Sequence, residues 1–529
     1  MSKVWKILPQ KSAELTEQLL INRGLIKKQE IEDFFNPKLD NFSTDLMIPG
    51  IPKALKRIDQ AIEKQELIVV FGDYDVDGIA SCAILYKALS LMGAKVLPYI
   101  PHREKEGYGL NKIGLEFARD AGASLVITVD NGIVAIEQSK FAKEIGLDLI
   151  ITDHHLPLEQ KPEALAIVHS LKMCGAGVAW CLIQERVSEG LRKELLQFAA
   201  IATVTDLIPL VGVARAFVAE GIKVLNRTDN LGLLSLLREC GIQAENIGTY
   251  EIGHIIGPRL NAIGRLEHAI DGLRLLCTKD PIKARKLAQL LCKTNVQRQQ
   301  LTMAAVEQAK LMVDQKSKIY ILSSKEWVPG IIGLIAGRIC EEYGRPAIAI
   351  SIGTDGFAKG SARSTNGTNI VEVIRTCSDI LIDVGGHKGA AGFSIETEKI
   401  EIFKTRMEEA LKDLPDDIVS ELEIEAEVPT KKLNKTLVKE LEKFSPFGFG
   451  NPQPIIATRR MKVSDLRTLS DGKHLKFKAD GIDAVGFGLG FMKNLIKDEI
   501  LVDVAYFLEI NKFNGNETLQ IKIKDILLS

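Results

Sequence analysis

Three acidic clusters in this chain each follow a short apolar run, and together they have the composition of a metal centre for phosphoester chemistry. Asp73, Asp75 and Asp77 lie in Gly72-Asp73-Tyr74-Asp75-Val76-Asp77-Gly78, directly after Leu67–Phe71 (LIVVF). Asp130-Asn131-Gly132 follows SLVITV, and Asp153-His154-His155 follows LIIT. One aspartate after a strand is commonly no more than a helix cap. Five carboxylates and two imidazoles gathered at one edge would repel one another severely unless cations were bound. Carboxylates with some imidazole and no thiolate suit Mn²⁺ or Mg²⁺ better than zinc. Six or seven such ligands are enough for two ions. A pair about 4 Å apart can activate a water and stabilise the leaving oxygen of a phosphoester at once.

Two other readings of Asp73–Gly78 fail. An EF-hand loop would need a glutamate where Ile84 stands, and a helix rather than a strand before it. A phosphatase with an aspartyl nucleophile also begins D-x-D after a strand, but leaves Asp153-His154-His155 unexplained.

The elements that must position these clusters alternate. Leu67–Phe71 reads as a buried parallel strand, and Ile79–Met92 has helical spacing and stops at Gly93. Val96–Ile100 is a strand, Asn111 caps a helix running to Ala121, and Ser124–Val129 is a strand. A helix ending at Gly146 and the strand Leu149–Thr152 follow. This rhythm predicts a doubly wound α/β sheet, with all three clusters at the carboxyl edge where such sheets bind ligands. Asp280–Gln315 has no glycine and no proline after Pro281, and reads as one long helix joining two lobes. A second α/β region follows, with strands Ile319–Ser323 and Ala347–Ile350 and a helix after Gly330. Glu421–Val428 alternates as an exposed-face strand, and the tail from Ile455 suits a small barrel. Met1 to about Met47 reads as small helices with a turn at Asn36-Pro37.

With 529 residues the chain is too long for one core. The expected domains are 1–47 helical, 48–215 catalytic, 216–318 connecting, 319–415 a second α/β lobe and 416–529 a barrel. Hydrophobic residues at 46% and charged residues at 26% are those of an ordinary globular protein. Eight scattered cysteines read as reduced thiols, and neither a membrane-spanning run nor a leader-like h-region is seen, so a cytoplasmic setting is expected. A net charge of −1 carries no sign of nucleic acid, but local charge is uneven. Glu396–Glu427 holds twelve acidic and four basic side chains, a balance of −8, and Pro429–Lys478 holds twelve basic and four acidic, or +8. Two solvated faces would explain this as well as a module that tracks a phosphate backbone.

GDYDVDG, the Asp130 cluster, Asp153-His154-His155 and Asp206 in ATVTDLIPL resemble, in order, the motifs of the DHH phosphoesterases. GGHKGAAGF (Gly385 to Phe393) is similar to their DHHA1 half. YIPHREKEGYGLN, RLNAIGR, KGSARS and PFGFGNPQP extend the likeness to the RecJ branch of that family, from about residue 15 to the end. The resemblance implies that Asp73, Asp75 and Asp77 bind metal, that Asp130 bridges two ions, and that His154 and Asp206 ligate the second. His155 would contact the scissile phosphate, and His387 would close on it from the second lobe. Arg103, Arg265, Ser361 and Arg363 would hold backbone phosphates, with Gly385 and Gly386 allowing close approach. The implied enzyme is a 5′→3′ exonuclease of single-stranded DNA that releases 5′-mononucleotides in repair and recombination. A C-terminal OB-like barrel would guide the strand. A monomer is expected, with a single-strand-binding protein and a RecQ-type helicase as partners.

Two departures from the pattern stand out: Phe71 where some relatives carry histidine before GD, and Val328 in place of the histidine of WHPG. His102, His169, His254 and His268 read as loop or core residues, and His474 as part of a barrel strand. Phe444, Phe447 and Phe449 are either base-stacking platforms or core. The competing functions are a DHH phosphodiesterase acting on short oligonucleotides or cyclic dinucleotides, and a metal-dead DNA-binding scaffold. The C-terminal barrel argues against the first, and the intact carboxylates against the second.

Overall fold

The structure is a computed structural model that describes residues 3–364, 368–415, 421–513 and 516–528. The expected boundary at 416 lies outside the described residues. The chain forms two compact units. One gathers Met1–Phe42, Leu207–Ala219 and Val419–Ser529; the other gathers Ser43–Asp206 and Glu220–Ile418.

The first strand, β1 (Val4–Ile7), belongs to the first of these units. In the other unit, β2 (Leu67–Phe71), β3 (Lys95–Tyr99), β4 (Ala123–Val129), β5 (Asp148–Asp153) and β6 (Ala166–His169) build an all-parallel sheet of order β3-β2-β4-β5-β6. Val69, Val70, Val126, Ile127, Ile150 and Ile151 are buried, as continuous apolar runs between two helical layers require. From β2 the chain steps to β3 on one side and then returns to β4 on the other. The strand order therefore reverses between β2 and β4, the switch point at which such sheets form a crevice.

Five further strands form the second lobe: β7 (Tyr320–Ser324), β8 (Ala347–Ile352), β9 (Phe357–Arg363), β10 (Leu381–His387) and β11 (Ala390–Glu396). Their order is β10-β11-β9-β8-β7, parallel between β7 and β8 and antiparallel elsewhere. GGHKGAAGF is thus a hairpin, with His387 opposite Ala390. The expected long helix is present as the 31-residue Pro281–Leu311, capped by the Asp280 carboxylate on Ile282 N–H and Lys283 N–H.

The other unit corrects two expectations. The N-terminal region is not all helical, because β1 pairs in parallel with β12 (Glu421–Ile424), Val4 opposite Glu421. A four-residue strand whose partner lies some four hundred positions away leaves no local signature. The alternation of Glu421–Val428 is also broken. Glu425 turns inward between β12 and β13 (Ala426–Glu427), only 8% exposed, and its carboxylate grips Arg23 at 2.6 and 3.1 Å.

Five strands then close a barrel: β14 (Ile456–Leu469), β15 (His474–Ala479), β16 (Ile482–Gly486), β17 (Leu501–Phe513) and β18 (Asn516–Leu528). The order β14-β15-β16-β18-β17 returns to β14, and only β16 and β18 run parallel, as in an OB-like barrel. His474 opens a barrel strand, as expected. Phe444 is core, Phe447 packs on the core, and Phe449 is exposed. Part of the basic excess after Pro429 is neutralised: Arg459 pairs with Glu427 and Asp503, and Lys478 with Asp465.

Leu19, Leu20 and Phe34 share one core with the barrel residues Met461, Phe477 and Tyr506. Arg215, 1% exposed, locks this unit. Its guanidinium donates to the carbonyls of Phe34 (2.9 Å), Pro446 (3.0 Å), Phe444 (3.0 Å) and Ser445 (2.7 Å), and lies 3.9 Å from the Phe34 ring centroid. Arg215→Met should strip the Phe34 and Ser445 carbonyls of this donor, leave those of Phe444 and Pro446 with Asn451 alone, and cost about 3–5 kcal/mol, as for a broken buried charge network. Urea unfolding followed by tryptophan fluorescence measures it; an unchanged midpoint would show that the bonds are dispensable.

Candidate metal centre

The helix Val76–Leu91, α1 below, starts on a loop wrapped around its own first turn. Asp75 Oδ1 caps it by accepting from Asp77 N–H (2.9 Å) and Gly78 N–H (3.1 Å). Gly78 has no alternative, because a Cβ there would lie 2.5 Å from the backbone nitrogen and oxygen of Asp73. Helix α2 (Gly175–Ile183) presents its N-terminus to Asp77, whose carboxylate accepts from Gly175 N–H (2.6 Å) and Ala176 N–H (2.7 Å). A Cβ on Gly175 would meet the Asp130 Cβ at 2.7 Å. Asp206 ends helix α3 (Glu189–Thr205). Asp130 adopts a left-handed φ of 61°, which turns its side chain out of the end of β4; such strain in a non-glycine residue concentrates at functional sites.

These residues meet. His154 Nε2 lies 3.1 Å from Asp130 Oδ1, and 3.5 Å from an oxygen of both Asp77 and Asp206. Three groups have ligand atoms within 4.8 Å of one another: Asp73, Asp75 and Asp130; Asp77, His154 and Asp206; and Asp130, His154 and His155. Asp130 and His154 are each common to two of them. Burial first, and then the Asp77 and Asp75 charges, push the Asp130 carboxyl far above the ordinary carboxylate range. Burial also raises Asp73 and Asp75, and lifts Asp206 to about 8 with help from Asp77 and Asp75. Asp73 Oδ1, Asp130 Oδ1 and His154 Nε2 are all buried without a hydrogen-bond partner. Orphaned atoms of this kind are costly in a folded core, and a divalent cation is what these donor types would satisfy. The residues present fit a pair of hard cations.

Sequence reasoning assigned no role to three neighbours. Asp153, the first residue of Asp-His-His, belongs to none of the three ligand groups. Its carboxylate accepts from Ile133 N–H (2.9 Å) and His154 N–H (2.7 Å), and holds His155 Nδ1 at 2.7 Å. It orients the imidazole, as second-layer carboxylates do. Burial alone would lower His155, but the Asp153 bond and charge outweigh it and raise it to about 9. Tyr108 Oη stands 3.1 Å from His155 Nε2, and His169 Nε2 lies 2.7 Å from the His155 carbonyl. Asp153 was legible as part of its motif. No spacing marks Tyr108 or His169.

The expected phosphate residues divide into two sets. Arg103 lies 4.7 Å from the Tyr74 ring centroid, in a loop closed by the Glu106 carboxylate on His102 N–H (2.8 Å). Arg265, in the last turn of helix α4 (Gly257–Leu266), donates to the Gly330 carbonyl at 2.9 Å and so ties the two lobes. Ser361 and Arg363 sit on β9, with Arg363 Nη1 3.3 Å from Ser361 Oγ. After burial, the charges of Arg103, Arg298 and Arg363 depress Arg265, so the four guanidiniums share one region beside Asp75. His387, exposed at the end of β10, makes no side-chain hydrogen bond among the described residues, and nothing joins it to the metal centre. Gly386 (φ 141°) serves the hairpin, since a Cβ would strike the Ala390 carbonyl at 2.3 Å; Gly385 faces open space. Phe71 is wholly buried against Tyr99. Val328 packs on the core beside the long helix.

Family profiles match three regions: the DHH family N-terminal domain at residues 67–203, the DHHA1 domain at 315–413 and the RecJ OB domain at 424–525. The chain is 34% identical to the single-stranded-DNA-specific exonuclease RecJ of Bacillus subtilis (strain 168), over 97% of its own length and 68% of that protein. The crystal structure of RecJ in complex with Mn²⁺ from Thermus thermophilus aligns with a TM-score of 0.87 at 30% identity, over 99% of this chain and 80% of that one. The corresponding structure with Mg²⁺ aligns with a TM-score of 0.80 at 28% identity, over 99% and 78%. The three profile regions and the match along nearly the whole chain agree: this chain belongs to the RecJ family of single-stranded-DNA-specific exonucleases.

Proposed function

We propose that the chain hydrolyses single-stranded DNA from its 5′ end and releases 5′-mononucleotides, using two Mn²⁺ or Mg²⁺ ions. The observation that carries this is the set of orphaned ligand atoms on Asp73, Asp130 and His154, beside arginines that have no carboxylate partner among the described residues. Asp73, Asp75 and Asp130 would hold one ion, and Asp77, His154, Asp206 and Asp130 the other. Bound there, the ions would supply Lewis-acid neutralisation of the phosphate and an acidified water. The remaining chemistry belongs to the chain. Arg103, Arg265 and Arg363 orient the strand by its phosphates, with Ser361 adding a hydroxyl. Protonated His155, held by Asp153 and Tyr108, donates to the scissile phosphate. Water adds to phosphorus, the P–O3′ bond breaks, and the terminal nucleotide leaves with its 3′ oxygen protonated. His387 would reach the phosphate by movement of the second lobe, with Gly385 and Gly386 giving room.

In this reading residues 48–215 carry the chemistry, 216–318 link the lobes, 319–415 hold phosphates and 416–529 guide the strand, with 1–47 as a supporting segment. A cytoplasmic monomer acting in repair and recombination, beside a single-strand-binding protein and a RecQ-type helicase, completes the proposal. The barrel weighs against a dinucleotide phosphodiesterase, and the intact ligand set against a metal-dead scaffold.

Asp130→Ala should uncouple both ions and lower turnover by several orders of magnitude without unfolding the protein. Near-normal release of nucleotides from a 5′-labelled strand in Mn²⁺ would sink the shared-ligand assignment. Metal binding should also depend on pH. Raised carboxyls keep protons on the metal-free cluster at neutral pH, and Asp206 titrates near 8. Mn²⁺ must displace them, so affinity should climb from pH 6.5 through about 8, with protons released on binding. Calorimetry in buffers of different ionisation heat measures this, and a flat affinity profile would contradict it. Arg103→Ala should lower kcat/KM about ten- to a hundred-fold on 5′-phosphorylated strands, the worth of a charge-assisted bond of about 1.5–3 kcal/mol, and far less on 5′-hydroxyl strands. Arg103→Lys should recover part of it. Equal losses on both substrates would assign Arg103 to an internal phosphate.

A further inference from the structure

Arg259 and Arg298, which the mechanism does not use, join Arg103, Arg265 and Arg363 in making no ion pair with a carboxylate among the described residues. Their Nε atoms are buried and lack hydrogen-bond partners. Arg298 Nη2 is held by Asn295 Oδ1 at 2.9 Å, and Arg259 Nη1 by the Ile255 carbonyl at 2.8 Å. The two lie close enough for repulsion from Arg259, and from Arg338, to add to burial in depressing Arg298. Arg259 also hydrogen-bonds Cys292, which leaves Arg298 with no anionic partner among the described residues and able to take one.

Arg298 and Arg338 face each other across a cleft of about 680 Å³ between the long helix Pro281–Leu311 and the helix Ile332–Tyr343, and Arg363 lines its near end. That volume is in the usual range for a small-molecule site, roughly 300–1,000 Å³. Gly333 and Gly337, four residues apart, leave the second helix bare there. A Cβ on Gly333 would stand 3.0 Å from Arg363 Nη2, and one on Gly337 3.9 Å from Arg363 Cγ, so the Arg363 side chain lies along this stripe. The far end has the opposite charge. Lys310 is taken by Glu307 (3.2 Å) and Glu342 (2.9 Å). Glu341 lines the same end and reaches Arg338 only at 3.6 Å, in an exposed pair. A polyanionic strand laid along the cleft would set phosphates against these carboxylates. A single nucleotide would not.

We infer that this cleft is a product site: it takes the 5′-mononucleotide leaving the metal centre, its phosphate on Arg298 and Arg338, its base toward Thr302 and Met303. The inference rests on the exonuclease reading for the source of the nucleotide, but the binding itself does not need catalysis. The test is titration of 5′-dTMP into the metal-free full-length protein, with Arg338→Glu and Met303→Glu as variants, alongside single-turnover cleavage and long-strand affinity in Mn²⁺. Both variants should weaken 5′-dTMP at least tenfold and relieve product inhibition to match, while single-turnover rate and strand affinity stay within twofold. An unchanged 5′-dTMP dissociation constant would overturn the product site. So would a parallel loss of strand affinity, which would make the cleft part of the strand path. Absence of any nucleotide release by the wild type would instead sink the exonuclease reading, and the metal-free titration would still decide the cleft.

Discussion

Mutual repulsion among buried carboxylates is the constraint around which this molecule is organised. Asp73, Asp77 and Asp130 are each about 1–2% exposed, and Asp75 and Asp206 stand beside them. No folded core tolerates such a group of anions without counter-charge. The protein supplies part of that charge itself. Backbone N–H groups at the start of helices α1 and α2 point at Asp75 and Asp77, and His155 is held as a cation by Asp153. What remains are ligand atoms with nothing to bind, the condition of a site preorganised for cations.

The same logic runs with reversed sign a short distance away. Arg103, Arg265 and Arg363 converge on the acidic edge, and burial and neighbouring guanidiniums depress Arg265 and Arg363. A centre of carboxylates and a rim of guanidiniums are separately unstable and jointly suited to a phosphodiester with its metal ions. Close backbone approach keeps the two sets in register. Gly264 abuts the Tyr74 carbonyl, and Gly330 the Arg265 carbonyl, where a Cβ would come within 2.2 Å of either oxygen. Asn261 Oδ1 accepts from Val76 N–H at 3.2 Å, so helix α4 is fastened to the metal loop on one side and to the second lobe on the other.

The unit that carries the barrel is held by a different device. Arg215 and Arg23 are cations bound largely by carbonyls and one inward glutamate, drawn from segments distant in sequence. Its core mixes residues from Leu19 to Ile526, so the barrel is not an appendage that ends where its strands end. PFGFGNPQP belongs to this unit structurally. Asn451 is wholly buried, donating to the Phe444 and Pro446 carbonyls and accepting from Arg23.

Local periodicity and short-range chemistry are legible in the residues alone. Apolar runs followed by acidic clusters placed Asp73, Asp130 and Asp153 at the ends of β2, β4 and β5. Parallel strands all present their carboxyl ends on one edge, so convergence followed from the pattern alone. Motif order carried the family, and Asp206, which has no strand before it, was legible only through that resemblance. Tertiary structure decided the rest. It made Asp153 an orienting carboxylate, because the backbone N–H of Ile133 and the His155 ring claim its oxygens. It brought Tyr108 and His169 to His155 across turns that no period describes. It paired β1 with β12 across most of the chain, and turned Glu425 inward against an alternation that placed it outside. It gave the His387 side chain no hydrogen-bond partner among the described residues, because which neighbours a hairpin tip meets depends on how lobes pack, and side-chain period is silent about packing.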